Sequence, residues 1–441
     1  MKKFIAATVC CLFSFSFFVF GGCACGKNEN SVNNYKAEIT VENDCVTVCS
    51  RVNTESEETK FFIPRAKEKS FCLLSLSFNG KSAEYSSDGA IFTVKSRKNE
   101  EIEIKYAFNV PDTEQISLLG VVPLLVAKSG EEYLAPVENE VGLFTAFDSS
   151  NFSVELSVPQ SYVIAGGEPL NALDKGENGV TYSYSFSSAR SVGFMLDKNY
   201  AVKSEKSADK SVNYCFLSDN NAEETYRFIK NCFEYFIGFL GEYPYKSLTV
   251  AETKCKKTFS ATGLVTVDSS EKEVSKENFR FNIALGIAEQ WFKHITCTDD
   301  ISYSAFSPAL CFYAARSFLL NEETQKDKDF INELTADKRA SVALYINAKK
   351  EQNSAYKPVI VKNAGETTDK LEYVSLLING GVNALLRLEE DYSPSKVEKA
   401  LKKFVKSNKN KISLKGDFSA ALSSLFRIFD YYLENPLKTL E

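Results

Sequence analysis

The sequence predicts an α+β chain: an amino-terminal antiparallel β domain followed by a mainly helical domain. The first observation behind this is a change of hydrophobic period. From about Tyr35 to Tyr200, short segments alternate apolar and polar residues between turn residues, the pattern of half-buried antiparallel strands. Beyond Lys206 the apolar positions recur at helical spacing. The second observation is composition. A chain of 441 residues that is 44% apolar and 25% charged can build two or three domains around large cores.

The elements follow in order. Lys2 and Lys3 precede an apolar run over residues 4–20, then Gly21-Gly22-Cys23, which predicts a secretion signal over residues 1–22. Small residues directly before a cysteine resemble the processing site of bacterial lipoproteins, which implies lipidation at Cys23. Phe20 stands where leucine is usual, and Cys25 fits less well. The alternative is an uncleaved amino-terminal anchor. Either places the body outside the cytoplasm, on the outer face of the cell membrane, with residues 23–34 as a tether. Residues 35–205 form the β-rich domain, with strands over 37–41, 101–106 and 152–158. Residues 206–441 form the second domain. Helices are expected over 222–240, capped by Asn220 or Asn221, and over 278–294, 307–320, 329–349, 371–388, 394–405 and 417–433. Pro308 falls in a first helical turn, where proline is tolerated. Residues 352–368 read as a loop or a strand pair.

Composition excludes some functions. Formal net charge is −6, and without Lys2 and Lys3 there are 50 basic against 58 acidic residues. The lysines from Lys402 to Lys411 are interleaved with other residues, so a nucleic-acid partner is not expected. Of twelve cysteines, four precede residue 26, and the other eight have no metal-knuckle spacing, so most are expected as buried thiols. Gly380-Gly381 lacks the lysine and hydroxyl of a phosphate-binding loop.

The run Ile287-Ala288-Glu289-Gln290-Trp291-Phe292 resembles the later part of the H-E-L-A-H-Q-W-F motif of M1-type zinc aminopeptidases. In that motif two histidines at i and i+4 ligate the metal and the intervening glutamate is the general base. The register puts Leu285 and Glu289 at the histidine positions and Gly286 at the base position. Gly241-Glu242-Tyr243-Pro244-Tyr245 and Leu248-Thr249-Val250 resemble the family's passage from helix to strand. Thr262-Gly263-Leu264-Val265 resembles the tail of its G-x-M-E-N-x-G-L strand, which puts Ser260 at the glutamate that reads a substrate's free amine. Pro308 falls at the third zinc ligand. Ile378, before Asn379-Gly380-Gly381-Val382, falls at the tyrosine of Y-x-K-G-A. More weakly, residues 152–166 resemble the end of the family's β domain. The resemblance implies a thermolysin-like peptidase domain after the β domain. The sequence has one histidine, His294, so a two-histidine zinc site cannot be built from it. No metal, cofactor or catalytic residue is therefore expected.

Local chemistry offers little else. Glu289 is expected to pair with a nearby lysine or face a solvated cleft, and Trp291, the only tryptophan, to pack in the core. His294 is expected at a solvent-facing helix end, where its charge suits the dipole. A cysteine–histidine nucleophile would need Cys297 within hydrogen-bond reach of it. Glu138 and Glu140 read as a solvated strand face. The expected function is peptide or protein binding, with Ser260, Thr262, Gly263 and Leu264 as candidate contacts along a strand edge. The alternatives are an active metallopeptidase with an atypical site, and a structural partner of a membrane complex.

Overall fold

A computed structural model describes residues 33–53, 57–95, 100–129, 132–176, 179–254, 259–322, 324–413, 415–422 and 426–440. The expected secretion signal, Cys23 and Cys255 lie outside the described residues. Asn33 and Asn34, assigned above to a tether, already belong to the first strand.

The β domain is built on an eight-stranded sheet. Its main strands are β1 (Asn33–Glu42), β2 (Cys45–Asn53), β3 (Cys72–Phe78), β4 (Glu101–Asn109), β5 (Ser150–Val158) and β6 (Val180–Ala189). Their order is β6-β5-β1-β2-β4-β3, with short strands Asn171–Asp174 and Lys81–Ser82 at the two ends. All neighbours are antiparallel except β1 and β5, which run parallel with Tyr35 opposite Phe152. The antiparallel expectation is corrected at this one pair, where the chain returns beside its first strand after a long excursion. Alternating residues such as Ile39, Val48, Ile104 and Val154 point into one apolar core. Phe61, Phe92 and Val94 of a four-stranded second sheet complete it.

A mixed five-stranded sheet carries the second half. It comprises β7 (Ala201–Ser207), β8 (Lys210–Phe216), β9 (Ser247–Thr253), β10 (Phe259–Ala261) and β11 (Leu264–Asp268), in the order β7-β8-β9-β11-β10. β7 straddles residue 205. The central strands β9 and β11 are parallel and buried along their whole length, as strands covered on both faces must be. One face of this sheet meets Ala165, Met195 and Tyr200, and the other meets helices.

The longer helices are α1 (Ala222–Leu240), α2 (Lys276–Glu289), α3 (Phe306–Glu322), α4 (Gln325–Gln352), α5 (Asn379–Tyr392), α6 (Pro394–Asn408), α7 (Lys415–Leu422) and α8 (Phe426–Glu434). α1 has the span read from its apolar stripe. Asn221 precedes it at φ 58°, in the left-handed region, and makes no side-chain cap. Two other helices deviate from α geometry. α2 runs into a π-helical turn, Gln290–Ile295, and a second π turn, Tyr373–Ile378, leads into α5. Residues 352–368 hold one short 3₁₀ turn, Ala364–Glu366, and no strand.

Candidate functional site

The site lies where α2 crosses β10 and β11. Ser275 starts this helix as its N-cap, its hydroxyl accepting the Asn278 N–H at 3.1 Å. Fifteen residues after Ser275, the fully buried Gln290 pins the turn between β10 and β11. Its Oε1 accepts the Gly263 N–H at 2.9 Å and its Nε2 donates to the Ala261 carbonyl at 3.0 Å. That two-residue turn needs φ +79° at its second position, which Gly263 supplies without strain. Trp291 is buried among Phe233, Phe236 and Tyr243 and donates its indole N–H to the Gly241 carbonyl at 3.1 Å. The recognisable half of the motif therefore performs structural work.

The other motif positions have different fates. Leu285 is partly buried against the main core, and so is Ile378. Pro308 sits in the first turn of α3. Gly286 lies directly over β11: a β-carbon there would stand 2.3 Å from Val265 Cγ1. The helix thus touches the sheet at a point where no side chain fits.

Glu289 opens a chain of polar contacts. Its Oε1 accepts from Lys293 Nζ at 2.5 Å and its Oε2 from the Ser260 hydroxyl at 2.6 Å. Ser260 Oγ has then spent its proton and accepts from His294 Nε2 at 3.1 Å. At the far end Thr262 Oγ1 accepts the Arg190 N–H at 3.1 Å and stands 3.5 Å from His294 Nδ1. The Glu289 end of the chain thereby assigns His294 as the neutral Nε2–H tautomer, with Nδ1 left to accept from Thr262. Burial drives the same way, lowering its pKa to about 3 against the attraction of Glu289. The expectation of a solvent-facing histidine is wrong: His294 is only 6% exposed. On α-helical geometry it would point about 140° away from Glu289. The π turn adds a residue to the circuit and brings position i+5 back over Glu289.

Burial raises the Glu289 pKa, but Lys293 and the two hydrogen bonds outweigh it and hold the carboxylate below its usual range. Lys293 loses stability as an ion through burial and regains more from Glu289, so its pKa rises and it stays charged. Asp300 stands nearby on the loop before α3, accepting from the Ser307 hydroxyl at 2.5 Å and its N–H at 3.2 Å. Burial pushes it up to about 6 despite Lys293 and Ser307. Cys311, on α3, is buried and its thiol is pushed well up.

This polarity is not that of a nucleophilic site. A triad holds its carboxylate against the histidine, and the histidine takes the serine proton. Here the carboxylate takes the serine proton itself, and a histidine of such low basicity takes none. Cys297 is no alternative, since its thiol turns to the Thr298 carbonyl while both His294 nitrogens are engaged elsewhere. Among the described residues no group of three or more His, Cys, Asp or Glu converges as metal ligands. Glu138 pairs with Lys67 at the surface.

Comparison with solved structures identifies the architecture. An M1 zinc metallopeptidase from Deinococcus radiodurans, in a mutant form bound to a Tyr-Ser-Ala substrate, superposes with TM-score 0.63 at 14% identity, covering 91% of this chain and 94% of that one. A further structure of the mutant enzyme from Deinococcus radiodurans gives TM-score 0.64 at 13% identity, covering 92% of this chain and 94% of that one. This chain has the M1 zinc metallopeptidase fold. A two-domain M1 zinc metallopeptidase mutant bound to L-tryptophan matches with TM-score 0.61 at 13% identity, covering 91% of this chain and 94% of that one. No protein-family model matches the sequence, and no curated protein matches it significantly.

Within the M1 fold, the candidate peptide contacts separate. Ser260 lies on β10, the outer strand of the sheet, beside Phe259, which is 45% exposed. Thr262 and Leu264 are buried, and Thr262 spends its hydroxyl inside the protein. Gly263 forms the turn rather than the edge. The expected pairing of Glu289 with a nearby lysine is found, and the lysine, which the sequence reading did not name, is Lys293, four residues on along the same helical face. That i, i+4 spacing of opposite charges was the available signal.

Proposed function

We propose that this is an exported, lipid-anchored protein of M1 fold that binds peptide or protein segments and does not hydrolyse them. The observation that carries the reading is the state of Glu289. The one carboxylate at a motif ligand position is committed to Lys293 and Ser260 inside the protein. Leu285 and Pro308 add no donor, and Gly286 adds no base. The D. radiodurans enzyme of this fold was solved with a Tyr-Ser-Ala substrate, and by analogy the open edge of β10 is where an extended segment would lie here. Strand addition of this kind needs an exposed edge and backbone hydrogen bonds, without a metal. Residues 1–22 act as the secretion signal and Cys23 as the lipid attachment, with a second signal needed for stable anchoring.

The test is a pair of measurements on the purified protein. Metal analysis should find no stoichiometric zinc, and aminoacyl substrates should not be cleaved. Titration with extended peptides should give weak binding with no preference for a free over an acetylated amino terminus. Stoichiometric zinc or chelator-sensitive hydrolysis would reject the proposal in favour of an atypical peptidase. Replacement of Cys23 by Ser should release or misprocess the protein in cells. A second reading, a structural partner of a membrane complex, is favoured by the packing of Leu285 and Ile378 against the core. It would be selected by co-purification of a complex together with no peptide binding at millimolar concentration.

A further inference from the structure

Two features of the site are unused by the protein itself. The first is Lys293. Its Nζ donates to Glu289, yet its side chain keeps 35% of its accessibility while its neighbours Trp291, Phe292, His294 and Ile295 are buried. An ammonium has three donors, and only the one to Glu289 has a hydrogen-bond acceptor among the described residues. The second feature is the edge of β10. The two-residue turn makes Ala261 and Leu264 the hydrogen-bonded closing pair, so the next pair, Ser260 and Val265, is the non-hydrogen-bonded type. The N–H and C=O of Ser260 therefore point away from β11, to the open side. Both features meet at Glu289, one on each carboxylate oxygen.

We propose that Lys293 and the Ser260 edge together bind the backbone of an internal, uncharged peptide segment: Lys293 donates to one of its carbonyl oxygens while an adjacent residue pairs with Ser260. The proposal rests on the peptide-binding reading above and narrows its ligand. Charge selects a neutral acceptor. Glu289 already neutralises Lys293, and the Asp300 carboxylate nearby opposes an incoming anion. A free amine is no better placed, because the carboxylate that could receive it already holds an ammonium. The site would thus recognise the middle of a chain rather than either end.

The test is calorimetric titration with an uncharged pentapeptide, acetylated and amidated at its ends, and with the same peptide carrying a free carboxylate. The proteins are the wild type, Lys293→Met and the double variant Lys293→Met/Glu289→Gln, which leaves no unpaired charge. Thermal unfolding checks that each remains folded. Loss of a hydrogen bond from a charged donor should weaken capped-peptide binding about ten- to a hundred-fold in both variants. Equal binding by wild type and the folded double variant would overturn this inference and leave the peptide-binding reading intact. No binding of the capped peptide by the wild type would overturn both. Tighter binding of the free-carboxylate peptide would overturn the neutral ligand class.

Discussion

Gly286 is the residue whose replacement the structure judges most sharply. It sits inside α2, so alanine there should gain about 1 kcal/mol of helix propensity. Against this, the new β-carbon would lie 2.3 Å from Val265 Cγ1, with Val265 Cβ at 3.5 Å and Cγ2 at 3.6 Å. Ordinary contact begins at 3.4 Å, so the neighbours must part by more than an ångström. Val265 is fully buried in a strand flanked on both sides, and a β-branched side chain has few other rotamers to take. Overpacking of this kind costs about 1–3 kcal/mol, occasionally more. A contact this close belongs in the upper part of that range, about 2–3 kcal/mol, so the net expectation for Gly286→Ala is a loss of about 1–2 kcal/mol. Urea unfolding followed by the fluorescence of Trp291, the only tryptophan and five residues away, reads this directly. In the double variant Gly286→Ala/Val265→Ala the added methyl enters space that valine has vacated. The two changes should then couple favourably, by about 1 kcal/mol or more. A Gly286→Ala protein as stable as the wild type, or strict additivity in the double variant, would refute the close packing of α2 on β11. Restoring a glutamate at this position meets the same β-carbon clash.

Gln290→Ala leaves the buried Gly263 N–H without its partner and takes one of two donors from the Ala261 carbonyl, which keeps Leu264; it should cost about 1–3 kcal/mol in chemical denaturation, chiefly for the one group left unsatisfied. The chain has one histidine, so its imidazole proton spectrum has one residue to report. That signal should stay that of the neutral Nε2–H tautomer from pH 8 down to pH 5, since burial holds the folded pKa near 3. Asp300 has a folded pKa raised from 3.8 to about 6, so its stability contribution is greatest below pH 4 and is lost as pH rises through 6. Asp300→Asn should therefore gain stability relative to wild type at pH 8, by about 1–2 kcal/mol after partial solvent screening, and show little gain at pH 4. Glu289 has the opposite sign: its pKa is depressed, so its contribution is present above the unfolded value and lost as pH falls through the folded one. Glu289→Gln should accordingly flatten the acid limb of the stability profile, measured by urea midpoints.

Much of this arrangement was legible in the amino-acid order. Alternation over 152–158 and helical spacing over 222–240 survive as β5 and α1 because those patterns each have one face to bury. Motif register placed Ser260 and Glu289 in one site, and they touch at 2.6 Å. Trp291 was read as core from its place on an apolar stripe, and it is core. What could not be read depended on departures from regular geometry and on distant partners. A single π turn decides that His294 faces Glu289 instead of solvent, and periodicity of 3.6 cannot show where a helix widens. The parallel pairing of β1 with β5 is a choice between partners more than a hundred residues apart. The role of Gly286 is set by Val265 across the helix–sheet interface, a contact the sequence separates by twenty-one residues. Local order determined which faces of this chain must be buried. Only the tertiary structure decided that Glu289 would be held by Lys293 and Ser260, because a carboxylate's charge state depends on which groups the fold brings within hydrogen-bond distance of it.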